Sequence, residues 1–279
     1  MCRLYGFIAN EPTKVDCSLV YAQNALILQS RIDEIGRHHA DGWGIVTYQN
    51  DIPVIQKKTT AAFEDQRFSA AAEKVYSQAI IAHVRKATVG SPSVQNTHPF
   101  VSGRWSFAHN GTVTGFEKIR HQLENETEPD LQAQRIGTTD SEQYFFWLLS
   151  HLTRLGMEKI EDSSPSELLG YLSAKVSELD KRCRQAAPKD TPRLNFVLTN
   201  GKTLIACRWN NSLHLIQREG IYECEICGIP HIHHHETINH RAVSIASEPF
   251  THEKWEEVAN QSFVVFNFEF DEDSFTGTV

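Results

Sequence analysis

Cys2 stands directly behind the initiator methionine in MCRLYGF, where a thiol has a chemistry that no internal cysteine has. Once Met1 is removed, the thiol lies beside a free α-amine of ordinary pKa about 7.7–8.0. Such an amine can take the thiol proton, directly or through water, and return it to a leaving group. One residue then supplies both nucleophile and base. Taken alone, the plainer reading of Cys2 is a small second residue with no role, so other segments must decide.

Three of them bear on it. Arg85, in HVRKAT at 83–88, ends the apolar run Ala79–Ala82, and NTHPF follows at 96–100. A guanidinium fork at a sheet rim suits bidentate capture of a carboxylate; a surface arginine at a strand end is the alternative. In FAHNGT at 107–112, Asn110-Gly111 is first of all a turn signal. Its functional reading is an oxyanion hole made by the Asn110 amide and the Gly111 backbone N–H. Asp140 opens a helix, where a carboxylate complements the dipole without any ligand; it could equally accept from a substrate ammonium. Arg85 and Asp140 together would grip the two ends of an α-amino acid.

Alternation and β-branched content predict strands over Leu4–Ala9, Trp43–Tyr48, Ala79–Val84, Trp105–His109, Leu194–Thr199 and Thr203–Trp209. Three more are expected over Ser212–Gln217, Ala242–Ala246 and Ser262–Phe268. Helical spacing fits Ser18–Ser30, Glu64–Tyr76, Ser141–Leu155 and Ser166–Cys183, with a capping box at Thr139–Glu142. No linker or internal repeat divides the chain, which favours one layered α+β domain with two sheets over residues 1–279.

A chain of 279 residues can bury about 75% of its unfolded surface. Its net charge of −8 argues against a nucleic-acid partner, which wants a cationic surface. No apolar run approaches a membrane span, and Asn10, Glu11 and Lys14 break any signal-peptide core. Six cysteines are too few for a disulfide scaffold, and a cytoplasmic protein is expected.

With its segments in order, the sequence resembles the class II, N-terminal-nucleophile glutamine amidotransferases. The matching pieces are MCRLYGF, HADGWGIVTY at 39–48, HVRKATVGSP at 83–92, NTHPF, FAHNGTV at 107–113 and TTDSE at 138–142. The resemblance implies a four-layer αββα sandwich in which Cys2 attacks a glutamine side-chain amide. It implies that Asn110 and Gly111 hold the tetrahedral intermediate, and that Arg85 and Asp140 hold the α-carboxylate and α-amine. Thr88 and His98 would support the substrate pocket, and Asp41-Gly42-Trp43-Gly44 would be structural. Lys86 and Val89 depart from the synthetase-linked members, while the start, DGWG and Ser247-Glu248-Pro249-Phe250 look like the stand-alone branch. That branch includes hydrolases of γ-glutamyl thiol compounds. The expected partners are therefore glutamine or another γ-glutamyl small molecule, and an ammonia-accepting or peptidase protein. The rival is a non-catalytic subunit that binds glutamine or metal.

No cofactor is expected from these motifs, and zinc has one candidate place. Cys224, Cys227, His231 and His233 lie in CEICGIPHIHHH, where thiolates and imidazoles could wrap a tetrahedral Zn²⁺. With a single CxxC and spacing shorter than a zinc finger's, a free dithiol or a histidine-rich polar loop is the favoured reading.

Overall fold

The structure, a computed structural model, describes residues 2–156, 165–220, 223–232, 239–267 and 276–277. Its strands in chain order are β1 (Arg3–Lys14), β2 (Trp43–Gln49), β3 (Ile52–Lys58), β4 (Tyr76–Val84), β5 (Phe100–Ser102), β6 (Trp105–Thr112) and β7 (Arg193–Thr199). They continue with β8 (Thr203–Arg208), β9 (His214–Glu219), β10 (Arg241–Ala246), β11 (Glu256–Glu257), β12 (Ser262–Asn267) and β13 (Thr276–Gly277). The helices are α1 (Leu26–Arg31), α2 (Gln66–Ala72), α3 (Phe116–Glu126), α4 (Pro129–Gln132), α5 (Asp140–Arg154) and α6 (Pro165–Ala186).

Two antiparallel sheets result, one ordered β11-β9-β10-β1-β4-β2-β3 and the other β13-β12-β8-β7-β6-β5. Period-two alternation along β1 explains the layering. Tyr5, Phe7 and Ala9 pack with Leu26 of α1 and Phe68 of α2 on one face. Leu4 and Ile8 meet Ala108, Val197 and Leu204 of the opposite sheet on the other. That second sheet turns Phe107, Leu194 and Phe196 towards α3, α5 and α6. The layers therefore run helix, sheet, sheet, helix, the expected αββα sandwich.

The expected strands form, with shifted ends. β1 runs on to Lys14 past a register break between Ile8 and Thr13. The predicted helix Ser18–Ser30 splits into a π-turn at Cys17–Tyr21 and α1, because Asn24 is drawn outward by bonds to the Pro249 and Phe250 carbonyls. The predicted helix Glu64–Tyr76 narrows to α2, capped by Asp65, and Tyr76 belongs to β4. α3 and β3 had not been anticipated; α3 starts at Gly115 in the left-handed conformation (φ +70°), without a side-chain cap.

α5 is buried along nearly its whole length, so its capping is structural as well as local. Thr139 Oγ1 accepts from the Glu142 N–H at 3.1 Å. The reciprocal half of the box is replaced: Glu142 Oε1 accepts from Ile136 N instead. Among the described residues no helix is long and apolar enough to cross a membrane.

Candidate active site

Antiparallel register brings the chemistry-bearing segments to one end of the sandwich. Arg3 pairs with Val84, and Trp43 also pairs with Val84, so Cys2 lies beside the segment leaving β4. The Lys86 N–H approaches Cys2 Sγ at 3.3 Å, and the thiol lies 3.4 Å from the Lys86 carbonyl. Burial raises the Cys2 pKa, against the opposing pull of the Lys86 amide and the Arg85 charge.

The first residues of β1 are clamped from three sides. Arg3 Nη1 donates to the Cys2 carbonyl at 3.1 Å. Its Nη2 donates to Asp33 at 2.7 Å and also to Glu248, and His39 Nε2 joins the same Asp33 oxygen at 3.0 Å. Burial raises the Glu248 pKa despite Arg3. Leu4 N donates to Ser247 Oγ, and Ser247 N donates to the Leu4 carbonyl. The SEPF segment, noted in the sequence only as a branch marker, thus fixes the nucleophile's strand.

Asn110 and Gly111 lie inside β6, so the turn reading of Asn-Gly gives way: Asn110 pairs with Asn195 and Gly111 with Leu194 on β7. Gly111 has a packing reason to be glycine. A Cβ there would sit 1.8 Å from the Arg193 carbonyl oxygen. Asn110 Nδ2 donates to Ser247 Oγ at 2.8 Å, while its buried Oδ1 has no partner among the described residues. One N–H of the amide remains for another acceptor. Next to it, burial lowers the His109 pKa. The ring bridges Ser141 Oγ and the Arg193 carbonyl at 2.8 and 2.9 Å; a neutral imidazole protonated on Nε2 satisfies both.

Arg85 is buried, and three of its five N–H groups are used by its own loop. The carbonyls of Val89, Gly90 and Ser91 accept at 3.0, 3.2 and 3.4 Å. Two donors remain for a ligand. Asp41 explains the importance of DGWG: its Oδ2 accepts from Ala87 N at 2.7 Å and holds the loop after Arg85. Gly44 has no room for a Cβ, which would meet the His98 carbonyl oxygen at 2.1 Å; NTHPF lies directly on β2 there.

Asp140 places Oδ2 on Val113 N at 2.8 Å and Oδ1 on Ser141 N at 2.9 Å. Asn96 couples it to the arginine loop. Asn96 Nδ2 donates to the Ser91 carbonyl and Thr138 Oγ1, and its Oδ1 accepts from Thr138 N. Asn96 and Ser247 could not be read as positioning residues from sequence, since neither carries reactive chemistry by itself.

Thr88 is exposed and lines an open cleft of about 790 Å³ with Val89, Thr112, Val113, Lys118 and Arg193. His98 is instead buried, its ring 4.2 Å from that of His83 and 4.5 Å from that of Phe100. Burial lowers its pKa well below the usual imidazole value. Cys224, Cys227 and His231 gather far along the chain from these residues, and His233 lies outside the described residues.

The arrangement offers a thiol, amide donors, a guanidinium and a carboxylate at one end of the sheets. Known proteins resemble this chain over most of its length. The "Probable glutamine amidotransferase DUG3" of Saccharomyces cerevisiae is 28% identical over 95% of this chain and 81% of its own length. The "Gamma-glutamyl-hercynylcysteine sulfoxide hydrolase" of Mycobacterium tuberculosis is 28% identical over 78% of this chain and 81% of its own. In fold, the chain is similar to the "glutamine aminotransferase class-II domain protein" of Silicibacter pomeroyi, with TM-score 0.60 and 22% identity over 95% of each chain. The description "Glutamine amidotransferases class-II" matches residues 1–269, a span that includes every segment of the site. This chain belongs to the class-II glutamine amidotransferases, enzymes that act on glutamine-type amides.

Proposed function

We propose that the protein hydrolyses the γ-amide of glutamine or of a related γ-glutamyl compound through a Cys2 thioester. The observation that carries this reading is the convergence of Cys2, Arg85, Asn110 and Asp140 at the end of β1. After removal of Met1, the Cys2 α-amine takes the thiol proton as sulfur attacks the amide carbon. Asn110 Nδ2 and the Gly111 N–H hold the oxyanion. The amine leaves with the transferred proton, and water then releases glutamate from the thioester. The two unused Arg85 donors take the α-carboxylate, and Asp140 takes the α-ammonium. Thr88 borders the substrate, and His98 supports the pocket from its buried position.

A second reading concerns what leaves. The cleft of about 790 Å³ beside Thr112 and Val113 lies in the roughly 300–1,000 Å³ range of small-molecule sites. It favours a γ-glutamyl compound whose leaving amine is larger than ammonia, as the mycobacterial relative's name describes for that protein. If ammonia is the product, a separate protein would consume it.

The test is glutamate release from glutamine, γ-glutamyl dipeptides and glutathione, with intact mass recording Met1 removal. The expected result is turnover of at least one compound, abolished by Cys2→Ala with the fold retained. Glutamine binding with no turnover of any of them by the processed chain would favour a non-catalytic subunit instead.

A further inference from the structure

A second cluster forms beyond the opposite end of β1. Cys17 opens the π-turn that follows the strand, and Cys224, Cys227 and His231 come from the CEICGIPH loop. The three sulfurs and one imidazole nitrogen all lie within 4.8 Å of one another. We propose that these four side chains bind one zinc ion in a closed, structural Cys₃His site.

The donor set is the first argument. Tetrahedral zinc with bonds of about 2.0–2.3 Å separates its ligand atoms by about 3.3–3.8 Å. Cys227 Sγ already stands 3.2 Å from His231 Nε2, and the widest separation need contract by about 1 Å. Among the described residues, the three sulfurs held this close, two of them on buried cysteines, share no other single partner. Replacing three thiol protons by Zn²⁺ leaves a site of charge −1.

The backbone is the second argument. Gly228 N donates to the Cys224 carbonyl at 2.8 Å, and Cys224 N donates to the Ile229 carbonyl at 3.3 Å. Ile226 N donates towards Cys224 Sγ at 3.4 Å. This tight turn, with Gly228 at φ +71°, points both CxxC sulfurs to one side and aims an amide at a thiolate. Lys14 N donates to the His231 carbonyl at 3.0 Å and seats the fourth ligand against the end of β1.

The third argument is what otherwise holds the loop. Residues 223–232 form turns without strand or helix, and Ile226 is their one apolar side chain packed on the core. A loop with so little burial gains most from a cross-link. A small cavity of about 20 Å³ beside the cluster is bordered by Cys17, Cys224 and His231 together with Tyr5, Phe7 and Arg218. A zinc site here departs from the sequence-based preference for a free dithiol. Its missing ligand is Cys17, contributed from the other end of the chain, while His233 is not needed.

The site stands apart from the Cys2 chemistry. Twelve strand residues separate Cys2 from the loop before Cys17, roughly 35 Å at the usual rise. The experiment uses full-length protein without a histidine tag, prepared reduced and without chelators. Elemental analysis should find about one zinc per chain. Cobalt(II) replacement should give the visible bands of a tetrahedral site with thiolate charge transfer. Cys227→Ser, at an exposed thiol, should weaken both signals with the fold retained, and His121→Ala, at an exposed histidine, should leave both unchanged. Zinc absent even after zinc addition, an octahedral cobalt spectrum, or a native mass short of two hydrogens from a disulfide within the cluster would each overturn the proposal.

Discussion

Ser247 should control the rate through Asn110 although it touches no substrate. Its hydroxyl accepts from Asn110 Nδ2 at 2.8 Å and from Leu4 N at 3.0 Å, and it is fully buried. Ser247→Ala leaves two buried donors without their acceptor, at about 1–3 kcal/mol each. Folding stability should therefore fall by about 2–6 kcal/mol, measured by urea unfolding. The kinetic effect has two bounds. Losing an oxyanion donor outright costs about 10²–10³ in rate, and releasing one hydrogen bond of about 1 kcal/mol costs about fivefold. A donor that remains but turns freely should lower kcat by about 10–100-fold. Because the bond matters in the transition state, KM should change little. Asn110→Ala should cost about 10²–10³, and adding Ser247→Ala to it should cost almost nothing more in kcat, since the serine acts through the amide. The assay is steady-state glutamate release on the best substrate. Unchanged kcat in folded Ser247→Ala, or full additivity in the double variant, would refute the coupling.

Gly111→Ala forces a Cβ to 1.8 Å from the Arg193 oxygen, so β6 and β7 must separate. The expected loss is at least about 1–3 kcal/mol together with activity, and a variant of unchanged thermal midpoint would contradict the close approach. Arg3→Met leaves Asp33 and Glu248 buried without their cation. It should destabilise by about 3–5 kcal/mol, and unfolding at pH 7 would detect it. Acid should destabilise the protein before its carboxylates titrate. Burial, with nearby cations, holds His39 and His151 down to about 4 in the fold, against an unfolded value of 6.5. Their stabilising contribution is complete above pH 6.5 and is lost as pH falls towards about 4. At pH 5 each should have removed about 2 kcal/mol relative to pH 7.5; equal urea midpoints at the two values would show that they do not.

The legible parts of the sequence were those whose cause is local. Alternation exposed β1, β4, β6 and β7, because each packs two different faces. Thr139 announced α5 because a cap acts over a few residues. The family resemblance, in turn, singled out Cys2, Arg85, Asn110, Gly111 and Asp140 as candidates, and the structure brings their segments together. Illegible features were set by distant chain. Asn110-Gly111 has turn chemistry, but pairing with β7 keeps it extended. The helix expected at Ser18–Ser30 is broken by carbonyls of Pro249 and Phe250. Cys17 carries no local signal because its companions follow β9.

The burial of Cys2 also constrains the chemistry. A free chain end normally frays, yet here Arg3 holds the Cys2 carbonyl while β4 and β10 flank the strand. That pre-organisation places the sulfur, but the same burial raises its pKa, so the resting group is a protonated thiol. Attack then requires a base that acts at the moment of reaction rather than a standing thiolate. Two of the histidines nearby are already engaged. His39 is bonded to Asp33, and His109 is committed to Ser141 and Arg193. Asp140 is occupied by two backbone amides. In the proposed mechanism the base is the amine that processing would create on Cys2 itself. In that mechanism Cys2 would gain its base in the same step that frees it, and the clamp around Arg3 would keep both groups where the amide carbon must arrive.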